Sequence, residues 1–237
     1  MKHNTASAPS AGKPLNIKAA LIDMDGTLLD SMPSHARAWH RMVSELGIEC
    51  RLDEFFGYEG MTGGATIDLI FRRELGRPAT DQEKTELYAR KTGYFNEMPK
   101  VPVMPGAARM LRTLMDAGVA RVLVTGSGQK STIGRLAAEF PGAFAEDMMI
   151  TSRDVSRGKP DPEPYLMAME RAGVAPSEAM VVENAPLGVK AGAAAGAFTV
   201  AVTTGPIPAE AMWEAGADMV FPSMEAFADA LPALLGL

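Results

Sequence analysis

The sequence predicts an α/β fold: a parallel sheet covered by helices, with a helical segment inserted after the first strand. Three observations carry this. Six short apolar runs, each stopped by a turn signal, recur along the chain. Helical patterns separate most of them, the alternation that gives parallel sheets with right-handed crossovers. One stretch, residues 32–100, breaks the rhythm and holds helical patterns without a buried strand.

The first run is Ile17-Lys18-Ala19-Ala20-Leu21-Ile22, stopped by Asp23-Met24-Asp25-Gly26. A short apolar run with a turn at its end reads as a strand buried on both faces. Residues 34–46, 65–75 and 81–94 then read as helices, and Pro99, Pro102 and Pro105 close the insertion. The later strands are Arg121 to Val124, Asp147 to Ile150, Met180 to Val182, Ala197 to Val202 and Asp218 to Phe221, with helices over 107–117, 129–139, 163–172 and 188–195 between them. The 237 residues suit one α/β domain carrying a smaller lobe. The expected organisation is a flexible leader over 1–16, a core over 17–31 and 101–237, and a helical lobe over 32–100. Such a lobe stands above the carboxyl ends of the strands, where open α/β sheets bind ligands.

Composition removes several function classes. Lys and Arg total 23 against 29 Asp and Glu, a net charge of -6, and no basic stripe is interleaved with aromatics, so no nucleic acid is expected as a partner. No apolar run approaches the ~20 residues of a membrane helix, and the first residues lack a secretory apolar region. Cys50 is the only cysteine, which excludes an intrachain disulfide and a Cys-rich zinc site. A soluble, cytoplasmic monomer acting on a small molecule is the expectation.

The chemistry-bearing residues stand at the strand ends. In Asp23-Met24-Asp25-Gly26-Thr27, carboxylates at i and i+2 of an extended segment leave the same face. Such a pair repels itself, and a divalent cation that prefers oxygen would relieve it; one carboxylate could then attack while the other moves a proton. Taken alone, the pentapeptide could equally be a solvated turn. Thr125-Gly126-Ser127 offers a hydroxyl and main-chain N–H donors for a phosphate. Lys159, on a proline-stiffened loop, offers a cation, and Glu183-Asn184 offers oxygen ligands. Each has a bland reading as a turn, a surface lysine or a helix cap. Their convergence on one crevice is the specific signal.

With these four motifs in order, the chain resembles the haloacid dehalogenase superfamily of phosphatases over about residues 17–237. Within it, the chain is most similar to the β-phosphoglucomutase-like branch, whose Rossmann-like core carries an all-helical cap. The resemblance implies that Asp23 is a nucleophile forming an aspartyl phosphate and that Asp25 is the general acid and base. It implies that Thr125 and Lys159 bind the transferring phosphoryl, Lys159 also restraining Asp23. It implies Mg²⁺ held by Asp23, the backbone carbonyl of Asp25, and either Glu183 or Asn184. The branch usually has Glu-Asp at that pair, so Asn184 lowers the charge of the metal site by one.

The cap departs from the mutases of the branch. Glu59, in Tyr58-Glu59-Gly60-Met61-Thr62-Gly63-Gly64, stands where a lysine is common, and Gly63 stands where an arginine grips the distal phosphate. A carboxylate facing phosphate is repulsive without a metal. The cap loop therefore looks most like that of inorganic pyrophosphatases of the branch, unless Glu59 merely caps a helix. Lys91 aligns with a cap lysine that contacts substrate, and His35 with a hinge histidine placed to orient Asp25 or the leaving group. His35 and His40, at i and i+5, do not share a helix face and so do not make a two-histidine metal site. The leading expectation is an Mg²⁺-dependent phosphohydrolase favouring pyrophosphate. The alternatives are a phosphohexose mutase, a sugar-phosphate phosphatase, or a catalytically silent binding module.

Overall fold

The computed structural model describes residues 14–237. Six strands form one sheet: β1 (Ala19–Ile22), β2 (Ala120–Val124), β3 (Met149–Ile150), β4 (Ala179–Glu183), β5 (Phe198–Val202) and β6 (Met219–Phe221). Their order is β3-β2-β1-β4-β5-β6, and every pairing is parallel. The predicted α/β class and all six strand positions agree with this. The edge strand β3 is shorter than its apolar run, because only β2 pairs with it and its ladder spans two residue pairs.

Alternation along the strands builds a core on each face. Ala20 and Ile22 of β1 join Leu123, Met180 and Val200 under α4 (Ala107–Asp116) and α9 (Met224–Leu235). Ala19 and Leu21 join Val122, Val124 and Val181 under α6 (Glu163–Ala172). Both faces being covered explains why the strands read as continuous apolar runs. The remaining sheet-side helices are α5 (Lys130–Glu139), α7 (Pro186–Ala194) and α8 (Ala209–Glu214).

Between β1 and β2 lie α1 (Met32–Ser44), a 3-10 turn (Leu52–Phe56), α2 (Gly63–Leu75) and α3 (Asp81–Asn96). These elements have an apolar cluster of their own, including Trp39, Met42, Phe55, Ile67, Ile70 and Leu87. The two connections to the sheet run side by side, with Leu29 bridged antiparallel to Val103 and the Asp30 N–H donating to Pro102 O at 3.0 Å.

One local expectation needs correction. Gly63 and Gly64 are not a loop before a helix but the first residues of α2, with Thr62 as N-cap accepting from the Ala65 N–H at 3.3 Å. The leader expected over 1–16 lies outside the described residues through position 13, and of the rest Leu15 is tied down, its N–H donating to Leu234 O at 2.9 Å. Among the described residues, no helix is long and apolar enough to cross a membrane.

Candidate active site

The strand order reverses direction at β1, with β2 and β3 on one side and β4, β5 and β6 on the other. This is the switch point at which open sheets leave a crevice beyond their carboxyl ends. Asp23 follows β1 immediately, Thr125 follows β2, and Glu183 closes β4.

A tight turn sets the two aspartates. The Gly26 N–H donates to Leu29 O at 2.7 Å, and the Leu28 N–H to Met24 O at 2.9 Å. Met24 is buried in the core, so Asp23 and Asp25 face the same cavity, as the i, i+2 spacing predicts. Gly26 has φ +79°, and a Cβ there would stand 2.0 Å from Asn184 Nδ2, so both conformation and space call for glycine.

Lys159 occupies the junction of three strand ends. Its Nζ donates to Asp23 Oδ1 at 2.6 Å, to Glu183 Oε1 at 2.6 Å and to Val124 O at 3.0 Å. Burial opposes its charge, but Asp23 and Glu183 outweigh that and hold it protonated above its usual range. Asp23 is shifted upward too, which for a carboxyl opposes its charge. Burial, with the nearby Glu183 and Asp25 charges, raises its carboxyl well above the ordinary value despite Lys159.

The Glu183-Asn184 pair divides its work. Both Glu183 oxygens are taken, Oε1 by Lys159 and by the Tyr165 hydroxyl at 2.7 Å, Oε2 by the Asn184 N–H at 3.0 Å. Asn184 instead faces the inserted helices: its Nδ2 donates to Glu59 Oε1 at 2.6 Å, and its Oδ1 accepts from the Thr27 hydroxyl at 3.3 Å. Glu59 is buried, and burial together with the charges of Asp23, Glu183 and Asp25 raises its carboxyl well above the usual range. It is neither a solvated side chain nor the cap of α2, which is Thr62.

On the other side a proton-bearing chain runs from Asp25. Its Oδ1 accepts from the Ser31 hydroxyl at 2.6 Å and lies 3.0 Å from His35 Nε2. His35 Nδ1 lies 2.6 Å from Lys91 Nζ, which also donates to Gln129 Oε1 at 2.9 Å. With Lys91 protonated its ammonium has only donors, so Nδ1 accepts and the Nε2–H donates to Asp25, a consistent neutral tautomer. Burial and the Lys91 charge hold His35 below its usual value. Burial alone would raise Asp25, but His35, Ser31 and Lys91 bring it below its ordinary range. Burial pushes Lys91 down to about 7. It is no solvated lysine, lying between the rings of Trp39, Tyr88 and Phe95 at 5.3, 5.8 and 5.4 Å.

The cavity these groups enclose measures about 60 Å³, lined by Asp23, Asp25, Glu59, Tyr88, Lys91 and Ser127 among others. One water needs roughly 10–15 Å³ by the same measure, so the space suits a small anion or a few waters. Thr125 Oγ1 accepts from the Ser127 N–H at 3.0 Å, shaping the loop that forms one wall. Gly126 lies against the loop after the 3-10 turn, where a Cβ would come within 2.5 Å of Gly60 O. At Gly63 a side chain would meet the Tyr88 ring at 2.2 Å, so the expected position of an arginine is filled by Tyr88.

Of the candidate site residues, Asp23, Asp25, Thr125, Gly126, Ser127, Glu59, His35 and Lys91 line this cavity, while Lys159, Glu183 and Asn184 stand behind it, Lys159 on Asp23, Glu183 on Lys159 and Asn184 on Glu59. Tyr88, Ser31, Gln129 and Tyr165 were not read there. Tyr88 precedes Lys91 by one helical turn on α3 and shares its face, a signal the spacing carried. Ser31 and Gln129 are single polar residues next to helix starts, with no pattern to distinguish them from caps.

Comparison with known proteins follows this geometry. The family model for haloacid dehalogenase-like hydrolases matches residues 17–196. Hexitol phosphatase A of Escherichia coli is 32% identical over 89% of this chain and 93% of its own length. A putative pyrophosphatase, PpaX of Clostridium perfringens, is 30% identical over 85% of this chain and 91% of its own. Among solved structures, a putative β-phosphoglucomutase from Bacteroides vulgatus superposes with a TM-score of 0.90 at 45% identity, covering 94% of this chain and 91% of the other. The four strand-end motifs, the switch-point crevice and these matches agree: the chain belongs to the haloacid dehalogenase-like hydrolase family.

Proposed function

We propose that this protein is a phosphohydrolase that works through an aspartyl phosphate on a small, metal-complexed phosphate, with inorganic pyrophosphate the favoured substrate. The observation that carries this is the buried Glu59 carboxylate hydrogen-bonded to Asn184 across the mouth of the Asp23 crevice. A phosphate entering that space meets two carboxylates whose charges already repel each other. Only a substrate that brings a cation makes the arrangement attractive.

The donor set fits a hard divalent ion such as Mg²⁺. Asp23, the backbone carbonyl of Asp25, Asn184 and Glu59 would hold it, all of them oxygen donors in the preference of that ion. Among the described residues no three His, Cys, Asp or Glu side chains are arranged as a ready metal site. The shell therefore needs the amide oxygen of Asn184, the main-chain oxygen, and oxygens of water and substrate, as Mg²⁺ commonly does. Bound there, the ion would neutralise charge on the transferring phosphoryl.

The protein groups then divide the reaction. An Asp23 carboxylate oxygen attacks phosphorus in line with the departing phosphate oxygen, and the bond to that leaving oxygen breaks. Lys159 aims Asp23 and favours its anionic form against burial, and the Thr125 hydroxyl with the loop after it holds the phosphoryl oxygens. Asp25, receiving a proton from His35 Nε2–H while His35 Nδ1 takes one from Lys91, gives it to the leaving group, then takes one from a water that attacks the phosphoaspartate and restores Asp23. His35 orients Asp25, and Lys91 receives the distal phosphate. We take residues 32–100 as a cap that closes over the site and excludes water.

A mutase reading has support in the 45% identity to a protein titled a putative β-phosphoglucomutase. Against it, Tyr88 packs on Gly63 and leaves no room there for a basic side chain. A sugar-phosphate phosphatase reading has support in the name of the hexitol phosphatase relative, while the cavity of about 60 Å³ favours the smaller pyrophosphate. Phosphate release from pyrophosphate, hexitol phosphates and hexose phosphates, each with Mg²⁺ and with chelator, tests the proposal. Pyrophosphate should be turned over fastest and only with Mg²⁺; faster release from a sugar phosphate would overturn the substrate assignment.

A further inference from the structure

Glu183 is the most completely bonded carboxylate in the crevice. Its Oε1 accepts from Lys159 Nζ at 2.6 Å and from the Tyr165 hydroxyl at 2.7 Å; its Oε2 accepts from the N–H groups of Asn184 at 3.0 Å and Ala185 at 3.4 Å. Gly188 of α7 makes the position possible, since a Cβ there would stand 1.8 Å from Oε1. Tyr165, in the first turn of α6, is fully buried, with Lys159 Nζ 5.2 Å from its ring centroid. The lysine head is therefore enclosed by Asp23, Glu183, Val124 O and an aromatic face, and among the described residues Tyr165 is the other side chain that hydrogen-bonds Glu183.

We propose that Tyr165 is a positioning residue: through its hydrogen bond to Glu183 it fixes Lys159 on Asp23, and Glu183 holds the lysine rather than a cation. The inference rests on the reading of Asp23 as the attacking group. Without the Tyr165 hydroxyl, Oε1 keeps Lys159 as its only side-chain donor. The Glu183 carboxylate is then free to turn toward the ammonium and draw it from Asp23. Such an error of aim slows the chemical step, because phosphoryl transfer depends on placement of the attacking oxygen. It leaves the approach of substrate and cation on the opposite side of Asp23 unchanged.

The test is steady-state phosphate release by wild type, Tyr165→Phe and Glu183→Gln, each titrated with substrate and with Mg²⁺. A charge-assisted hydrogen bond is worth enough for about a tenfold loss. Tyr165→Phe is expected to lower kcat about tenfold, with KM and the Mg²⁺ half-saturation within about twofold of wild type. Glu183→Gln should lower kcat further with the same unchanged Mg²⁺ requirement, whereas a metal ligand would raise that requirement by roughly 10–100-fold or more. Gly188→Ala, which favours its helix and presses a methyl on Glu183, must give the same kcat-only loss and stands in should Tyr165→Phe fold poorly. Wild-type kcat in Tyr165→Phe, or a loss seen in the Mg²⁺ titration instead, overturns the inference alone. A wild type that releases no phosphate overturns the reading of Asp23 and the inference with it.

Discussion

Asn184 Nδ2 lies 2.6 Å from Glu59 Oε1, joining the turn after β4 to the loop that precedes α2. Neither residue is where the common pattern of the resembling branch has it: one replaces a carboxylate with an amide, the other a lysine with a carboxylate. The two departures meet, so the charge lost at position 184 is returned at position 59. That exchange motivates the reading of a metal-complexed substrate.

If Glu59 shares a cation with Asn184, Glu59→Gln weakens the cation without emptying the pocket. The Mg²⁺ half-saturation for phosphate release is expected to rise by about 10-fold or more, on the scale of lost metal-site groups. A Mg²⁺ titration of activity checks this, and an unchanged midpoint contradicts it.

Tyr88 fills the space beside Gly63 and accepts a hydrogen bond from the Gly128 N–H at 3.3 Å. Tyr88→Ala opens the cavity and removes that closure. The ratio of hexose phosphate to pyrophosphate turnover is expected to rise by about 10-fold, the scale of a changed pocket wall. Competition between the two substrates in one assay measures the ratio directly.

Gly126 lies under the main chain of the cap loop, where a Cβ would be 2.5 Å from Gly60 O and 2.7 Å from Met61 O. Backbone cannot step aside as a side chain can. Gly126→Ala is expected to hold the loop off the core and lower kcat/KM by about 10²-fold, the cost of a 1 Å misplacement. Circular dichroism should show the fold unchanged, and wild-type kcat/KM would contradict the closed contact.

Lys91 is buried among aromatic rings, and its pKa of about 7 lies far below the ordinary lysine value. The unfolded chain binds a proton there up to about pH 10.4, the folded chain only to about 7, so folding is penalised below that window and relieved as pH rises through it. Wild type should therefore gain stability, on the order of a few kcal/mol, between pH 7 and 10 relative to Lys91→Met. Thermal melts of both proteins across that range test the sign. A difference that does not change with pH contradicts the lowered lysine pKa.

The sheet was legible because both its faces are buried, which turns strands into uninterrupted apolar runs such as Met180-Val181-Val182. The strand-end residues were legible because they sit at fixed points of that rhythm, at or just past the ends of β1, β2 and β4. What the sequence left open was contact across elements. Nothing local distinguishes the two oxygens of Glu183 from those of a ligand, and their engagement with Lys159 and Tyr165 spans separations of 24 and 18 residues. Nor does a lysine in Ala89-Arg90-Lys91-Thr92 announce its burial, since helix α3 has polar residues around most of its surface and little amphipathic contrast to orient it. The start of α2 was misplaced because glycines read as loop, while the Thr62 cap and the Tyr88 ring that favour them there belong to the folded state.

The proposal turns on Asp23 as the group that takes the phosphoryl. Phosphate release from pyrophosphate with Mg²⁺, measured for wild type and for Asp23→Asn side by side, tests it most directly. The account predicts turnover by wild type and a loss of at least about 10³-fold in the variant, which keeps the shape of the side chain but not an attacking oxyanion. Equal rates from the two proteins would contradict it.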